Sequence, residues 1–121
     1  MELCLFAAGA LIRLGALALT LSWTHSVEKA QWQEDLRLGP AGIAVTEARV
    51  TGSGAGMEPP PDARFEAGFW RWRPNRPPLA SIVLRRSRET EDWTVCVNGE
   101  CRRIGELAPA QADPVTIAAC P

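Results

Sequence analysis

From Leu17 to Trp23, apolar residues fall at every second position. Leu17, Leu19, Leu21 and Trp23 share one parity; Ala18, Thr20, Ser22 and Thr24 share the other. A period of two belongs to a β-strand, whose successive side chains point to opposite faces, whereas a helix needs a period near 3.6. The whole N-terminal stretch, "MELCLFAAGALIRLGALALTLSW", has the apolar length of a signal peptide or membrane helix. Glu2, however, stands where a signal peptide needs positive charge. Arg13 falls near mid-span, which costs roughly 3 kcal/mol on membrane-insertion scales. Residues 1–23 are therefore expected to form strands of a soluble domain, with one strand running from Leu17 to Val27. No membrane span is expected, and a periplasmic location stays open.

Short strand-like runs separated by turn residues continue along the chain. "LCLFA" and "ALIRL" flank Ala8–Gly9, and "QWQEDLRL" puts Trp32, Glu34, Leu36 and Leu38 on one face. "GPAG" at 39–42 reads as a turn before "IAVTEARV". "FWRWR", "LASIVLRR", "WTVCV", "ECRRI" and "VTIAA" follow, and only "IGELAPAQ" suggests a helical turn. The 121 residues are 46% apolar, enough for one ordered core. The expected fold is all-β: a single small antiparallel β-sandwich or barrel over residues 1–121, built from hairpins.

Asn98–Gly99 suits a two-residue type I′ turn, in which both residues take positive φ. Counting back from it pairs Val97 with Glu100, Cys96 with Cys101 and Trp93 with Ile104. Cys96 and Cys101 then form either a cross-strand disulfide or two thiols packed side by side. Four cysteines permit two disulfides without specifying them, and disulfides would imply an oxidising compartment.

Two segments, "LSWTHSVEKAQWQEDLRL" and "ARVTGSGAGMEPPPDA", resemble a bacterial family known as domain-of-unknown-function family eighteen-fifty. The resemblance extends over essentially the whole chain. Members are often encoded beside tripartite ATP-independent periplasmic (TRAP) transporters of the TAXI subtype, so it implies a link to solute uptake. It implies no catalytic residues.

Candidate chemistry concentrates in the same two segments. His25, the one histidine, continues the face of Leu21 and Trp23. If its strand pairs with the next as a hairpin, His25 and Glu34 can meet across it, and a carboxylate there would favour the imidazolium. The competing reading is a hydrogen-bonded core histidine that sets register. Ser26 is a poor nucleophile for His25, because adjacent strand residues point to opposite faces. One histidine and scattered carboxylates do not make a metal site, and no cofactor is expected.

The run Gly52, Ser53, Gly54, Ala55, Gly56 and Met57 lacks the Lys-Ser/Thr of a phosphate loop. Its backbone N–H groups suit an anion-binding nest, and Pro59 to Pro61 stiffen its exit. It reads either as a ligand loop or as a crossover between sheets. The candidate binding residues are thus His25, Ser26, Glu28, Glu34, Gly52, Ser53, Gly54, Gly56 and Met57. His25, Glu34 and the glycine loop are expected to lie together.

Trp70 and Trp72 alternate with Arg71 and Arg73, which could stack nucleobases. The 13 basic and 14 acidic residues leave no basic excess, so the tryptophans are assigned inward and nucleic acid is excluded as a partner. The functional expectation is an accessory or binding domain tied to TRAP-type uptake, with a transporter subunit or a small anionic solute as partner. A small hydrolase or metal-dependent enzyme using His25, and a structural component of a membrane complex, are the alternatives.

Overall fold

The computed structural model describes residues 1–25, 29–51, 59–109 and 111–121. The N-terminal apolar stretch forms three strands: β1 (Leu3–Ala7), β2 (Ala10–Arg13) and β3 (Ala18–Thr24). The third is shorter than the expected run from Leu17, and Val27 lies outside the described residues. Next come β4 (Gln31–Gly39), β5 (Gly42–Thr51), β6 (Arg64–Glu66), β7 (Phe69–Trp72), β8 (Ser81–Leu84), β9 (Thr94–Val97) and β10 (Glu100–Arg103). A single helical turn, α1 (Ile104–Leu107), and β11 (Val115–Ala119) complete the order. Among the described residues no helix is long and apolar enough to cross a membrane.

Two antiparallel sheets pack as a sandwich. One has the order β2-β1-β11-β8, the other β10-β9-β3-β4-β5-β7-β6. Leu3, Leu5, Leu84, Val115 and Ile117 of the smaller sheet meet Leu19, Leu21, Leu36, Ile43 and Val95 of the larger, with Ile104 beside them. Each such fully buried aliphatic side chain contributes roughly 1.5–3 kcal/mol. The alternation read from Leu17 onward is visible in β3, where Leu19 and Leu21 are buried while Ala18 and Thr20 are half-exposed.

The hairpin turns follow their residues. Asn98 and Gly99 both take positive φ, 52° and 82°. Cys96 stands opposite Cys101, and the Ile104 N–H donates to the Trp93 carbonyl at 2.9 Å. The Cys96 and Cys101 sulfurs are bonded, at 2.00 Å. A second disulfide, Cys4–Cys120, ties the two ends of the chain together beside the β1–β11 pair.

The outward face of the larger sheet carries a polar network. Arg49 donates to Asp35 at 2.9 and 3.1 Å, to Glu47 at 2.7 Å and to Gln33 at 2.6 Å. The Thr20 hydroxyl donates to Asp35 at 2.7 Å, and Arg71 donates to Glu47 at 3.3 Å. Partial burial pushes the Asp35 carboxyl up, but the hydrogen bonds from Arg49 and Thr20 outweigh it and hold the group below its ordinary 3.8. Asp35 thus stabilises the fold above that ordinary value, and the contribution disappears as pH falls through the lower folded value. Asp35→Asn is expected to cost about 1–2 kcal/mol at neutral pH, discounted for partial exposure. In urea titrations at pH 7 and pH 3, the gap between wild type and variant should narrow at the lower pH. A gap of constant size would refute the role given to this carboxylate.

Candidate functional site

The strand register gathers the aromatic residues. Reading across the inward face of the larger sheet, Phe65 stands opposite Trp70, Trp70 opposite Val50, Val50 opposite Trp32 and Trp32 opposite Trp23. Trp93 extends the line, with its ring centroid 5.1 Å from that of Trp23. Trp23 and Trp32 stack at 6.1 Å, Trp72 meets Trp32 edge-on at 6.0 Å, and Phe65 lies 5.1 Å from Trp70. All five tryptophans in the chain therefore share one band, and each is only half-buried. Trp23 and Trp93 pack on the aliphatic core; Trp32, Trp70 and Trp72 continue the band past it. Arg71 lies on the opposite face with its ion pair to Glu47. The Trp/Arg alternation thus follows from the strand pleat.

One row along, Leu21, Glu34, Ala48 and Trp72 stand in register on the same inward face. Leu21 and Ala48 are buried, so Glu34 is a carboxylate set between two apolar neighbours. It accepts a hydrogen bond from Arg76 at 2.9 Å, with the Glu34 side chain 19% and the Arg76 side chain 47% exposed. Arg76 comes from the proline-bearing segment 73–78 that leaves β7. That segment is pinned where Ile43 and Leu79 exchange backbone hydrogen bonds of 2.7 and 2.8 Å. The Trp32 Nε1–H is buried and has no hydrogen-bond partner among the described residues.

His25 closes β3. Its N–H donates to the Ala30 carbonyl at 2.8 Å, and its carbonyl accepts from the Lys29 N–H at 2.9 Å. This register corrects the expectation that His25 and Glu34 face each other. His25 is set against Ala30 and Glu34 against Leu21, four residues farther along β4, or about 13 Å at strand rise. Ser26, Glu28, Gly52, Ser53, Gly54, Gly56 and Met57 lie outside the described residues. The strand ends leading into those segments are joined, because the Gln31 N–H donates to the Thr51 hydroxyl at 2.9 Å. Among the described residues no three side chains of metal-ligating type cluster.

Sequence reasoning missed a second polar centre. Arg86 forks onto Asp92 at 3.1 and 3.2 Å and donates to the Ala112 carbonyl at 2.9 Å. Asp92 also accepts from the Gly105 N–H at 2.8 Å, and Arg85 forks onto Asp113 at 3.1 Å. The hydrogen bonds from Arg85 and from the Arg86 backbone hold the Asp113 carboxyl below its ordinary range. A cleft of about 410 Å³ opens beside these groups. Their charges are satisfied internally, so the centre fixes β8, β9, α1 and the approach to β11 in place. The spacing of Arg86 and Asp92 alone carries no periodic signal that would have revealed it.

No curated protein and no solved structure matches this chain. One family does, over residues 19–104. The match runs from the second residue of β3 through β10 and leaves out β1, β2 and β11, three of the four strands of the smaller sheet. That is narrower than the whole-chain resemblance read from the sequence. Since the match spans more than half of the 121 residues, the chain belongs to the family described as a domain of unknown function, DUF1850.

Proposed function

We propose that this protein is an accessory binding domain of a bacterial TRAP-type solute uptake system, and that it contacts a transporter subunit through the tryptophan band. The half-buried band carries this reading. Tryptophans are enriched where binding energy concentrates, since they offer large apolar area at low entropic cost. Trp23, Trp32, Trp70 and Trp93 share one row and Trp72 stands in the next, and all five are partly open. The two disulfides fit an oxidising compartment such as the periplasm, where such a partner would be met. We assign a protein partner rather than a small anionic solute because the inward-facing charge nearest the band is the Glu34 carboxylate. The hydrolase alternative has no comparable support, because the register separates His25 from Glu34.

The test is co-purification of the tagged protein, after cross-linking in its host, with TRAP transporter subunits. Trp70→Ala is expected to keep a cooperative unfolding transition and to reduce recovery about tenfold or more, the size of an aromatic hot spot. Absence of transporter subunits with the wild type, or equal recovery with Trp70→Ala, would refute the reading.

A further inference from the structure

Three arginines stand side by side on the outward face of the larger sheet. Arg49 of β5 is opposite Arg71 of β7, and Arg71 is opposite Arg64 of β6. Like charges placed directly opposite each other in a sheet repel and call for counter-charge. The acids of this face do not supply it evenly. Arg49 takes both Asp35 oxygens and holds Glu47 at 2.7 Å, whereas Arg71 reaches the same Glu47 oxygen only at 3.3 Å. Among the described residues the side chains of Arg64 and Arg73 make no hydrogen bond or ion pair, and neither does the Asp62 carboxylate.

These groups share one cavity. Arg64, Arg71, Arg73, Glu47 and Asp62 line a recess of about 320 Å³. Its three guanidinium groups outnumber its two carboxylates, and Arg49 already claims Glu47. The recess therefore favours an anion. Guanidinium forks fit carboxylate and phosphate oxygens alike, and two features choose between them. Three guanidinium groups offer more donors than the two oxygens of a carboxylate can take, while a tetrahedral oxoanion presents four oxygens. Asp62 is an acceptor without a donor. It repels an oxoanion that has lost every proton and accepts a hydrogen bond from one that keeps an O–H. Hydrogen phosphate has both properties; sulfate has the shape and lacks the proton.

We propose that this recess binds inorganic hydrogen phosphate, with Arg64, Arg71 and Arg73 donating to its oxygens and Asp62 accepting its O–H. The site lies on the face turned away from the tryptophan band, so it goes beyond the partner contact proposed above and does not depend on it.

The experiment is isothermal titration calorimetry of the whole protein at pH 7 in a phosphate-free buffer, with sodium phosphate, sodium sulfate and sodium acetate compared at equal ionic strength. Wild type should give a saturable heat with phosphate and bind sulfate and acetate roughly tenfold or more weakly, since each leaves a charged group of the recess unpaired. Arg64→Gln and Arg73→Gln alter exposed side chains that hold nothing in the fold. Each should weaken phosphate binding about tenfold, the size of one charge-assisted hydrogen bond, without moving the thermal unfolding midpoint. Asp62→Asn should bring sulfate up to the affinity of phosphate. The proposal is overturned if phosphate gives no saturable heat, if sulfate binds wild type as tightly as phosphate, or if both arginine variants bind phosphate like wild type. Each of these outcomes leaves the Trp70→Ala co-purification result untouched, so the two readings fail separately.

Discussion

Replacing Cys4 and Cys120 together by alanine is expected to destabilise the protein by about 4–5 kcal/mol, against about 2 kcal/mol for the Cys96/Cys101 pair. The difference comes from loop length. The first bridge joins residues 116 positions apart and the second residues 5 apart, and a longer closed loop removes more entropy from the unfolded chain. The long bridge also guards the least local pairing in the fold. β1 and β11 lie at the middle of the smaller sheet, yet they come from opposite ends of the chain. Guanidinium unfolding under non-reducing conditions measures both double variants. An equal or larger cost for the Cys96/Cys101 pair would refute the assignment of terminal closure as the stronger restraint.

Gly42→Ala should cost about 2–4 kcal/mol, because the site is closed on two counts. The residue has φ of +124°, where a side chain is strained, and an added Cβ would stand 2.7 Å from the Leu79 carbonyl oxygen. That carbonyl accepts the Ile43 N–H at 2.7 Å, so relieving the clash breaks the bridge that holds segment 73–80 against β5. Gly99→Ala is the control. Its φ of +82° is also unfavourable, but nothing lies within 4 Å of the added carbon, and only the backbone term of about 1 kcal/mol applies. Faster amide exchange at Ile43 and Leu79 in Gly42→Ala, with both variants costing different amounts, is the expected result. Equal costs would show that the bridge contributes nothing.

Both effects depend on contacts between distant parts of the chain, and the sequence does not display them. The glycine at 42 reads as part of a turn, which it is, but its obstruction by Leu79 arises only once the 73–80 segment crosses β5. The pairing of Cys4 with Cys120 is one of several that four cysteines allow. The strand β6 escaped notice because Arg64, Phe65 and Glu66 are all exposed and show no buried alternation. The His25–Glu34 expectation failed for a related reason. Parity correctly put Glu34 on the inward face beside Leu21, but the distance to His25 is set by where the hairpin turns, and Ala30 rather than Glu34 stands opposite His25.

What the sequence determined by itself is the set of strands and the face each residue takes. The pleat is a local property, and a period of two survives whatever the partner strand is. That is why the apolar N-terminal stretch reads as β1 to β3, why Asn98–Gly99 reads as a turn, and why Trp70 and Trp72 separate from Arg71. What only the tertiary structure decided is which positions stand side by side. Phe65, Trp70, Trp32, Trp23 and Trp93 come from five strands or their margins, and nothing in their spacing says that they form one row. The row exists because core burial fixes every register at once, and each register depends on the packing of both sheets rather than on the residues nearby in the chain. Glu34 and Arg76 meet for the same reason: 42 residues apart, they are joined by the path the chain takes between the two sheets.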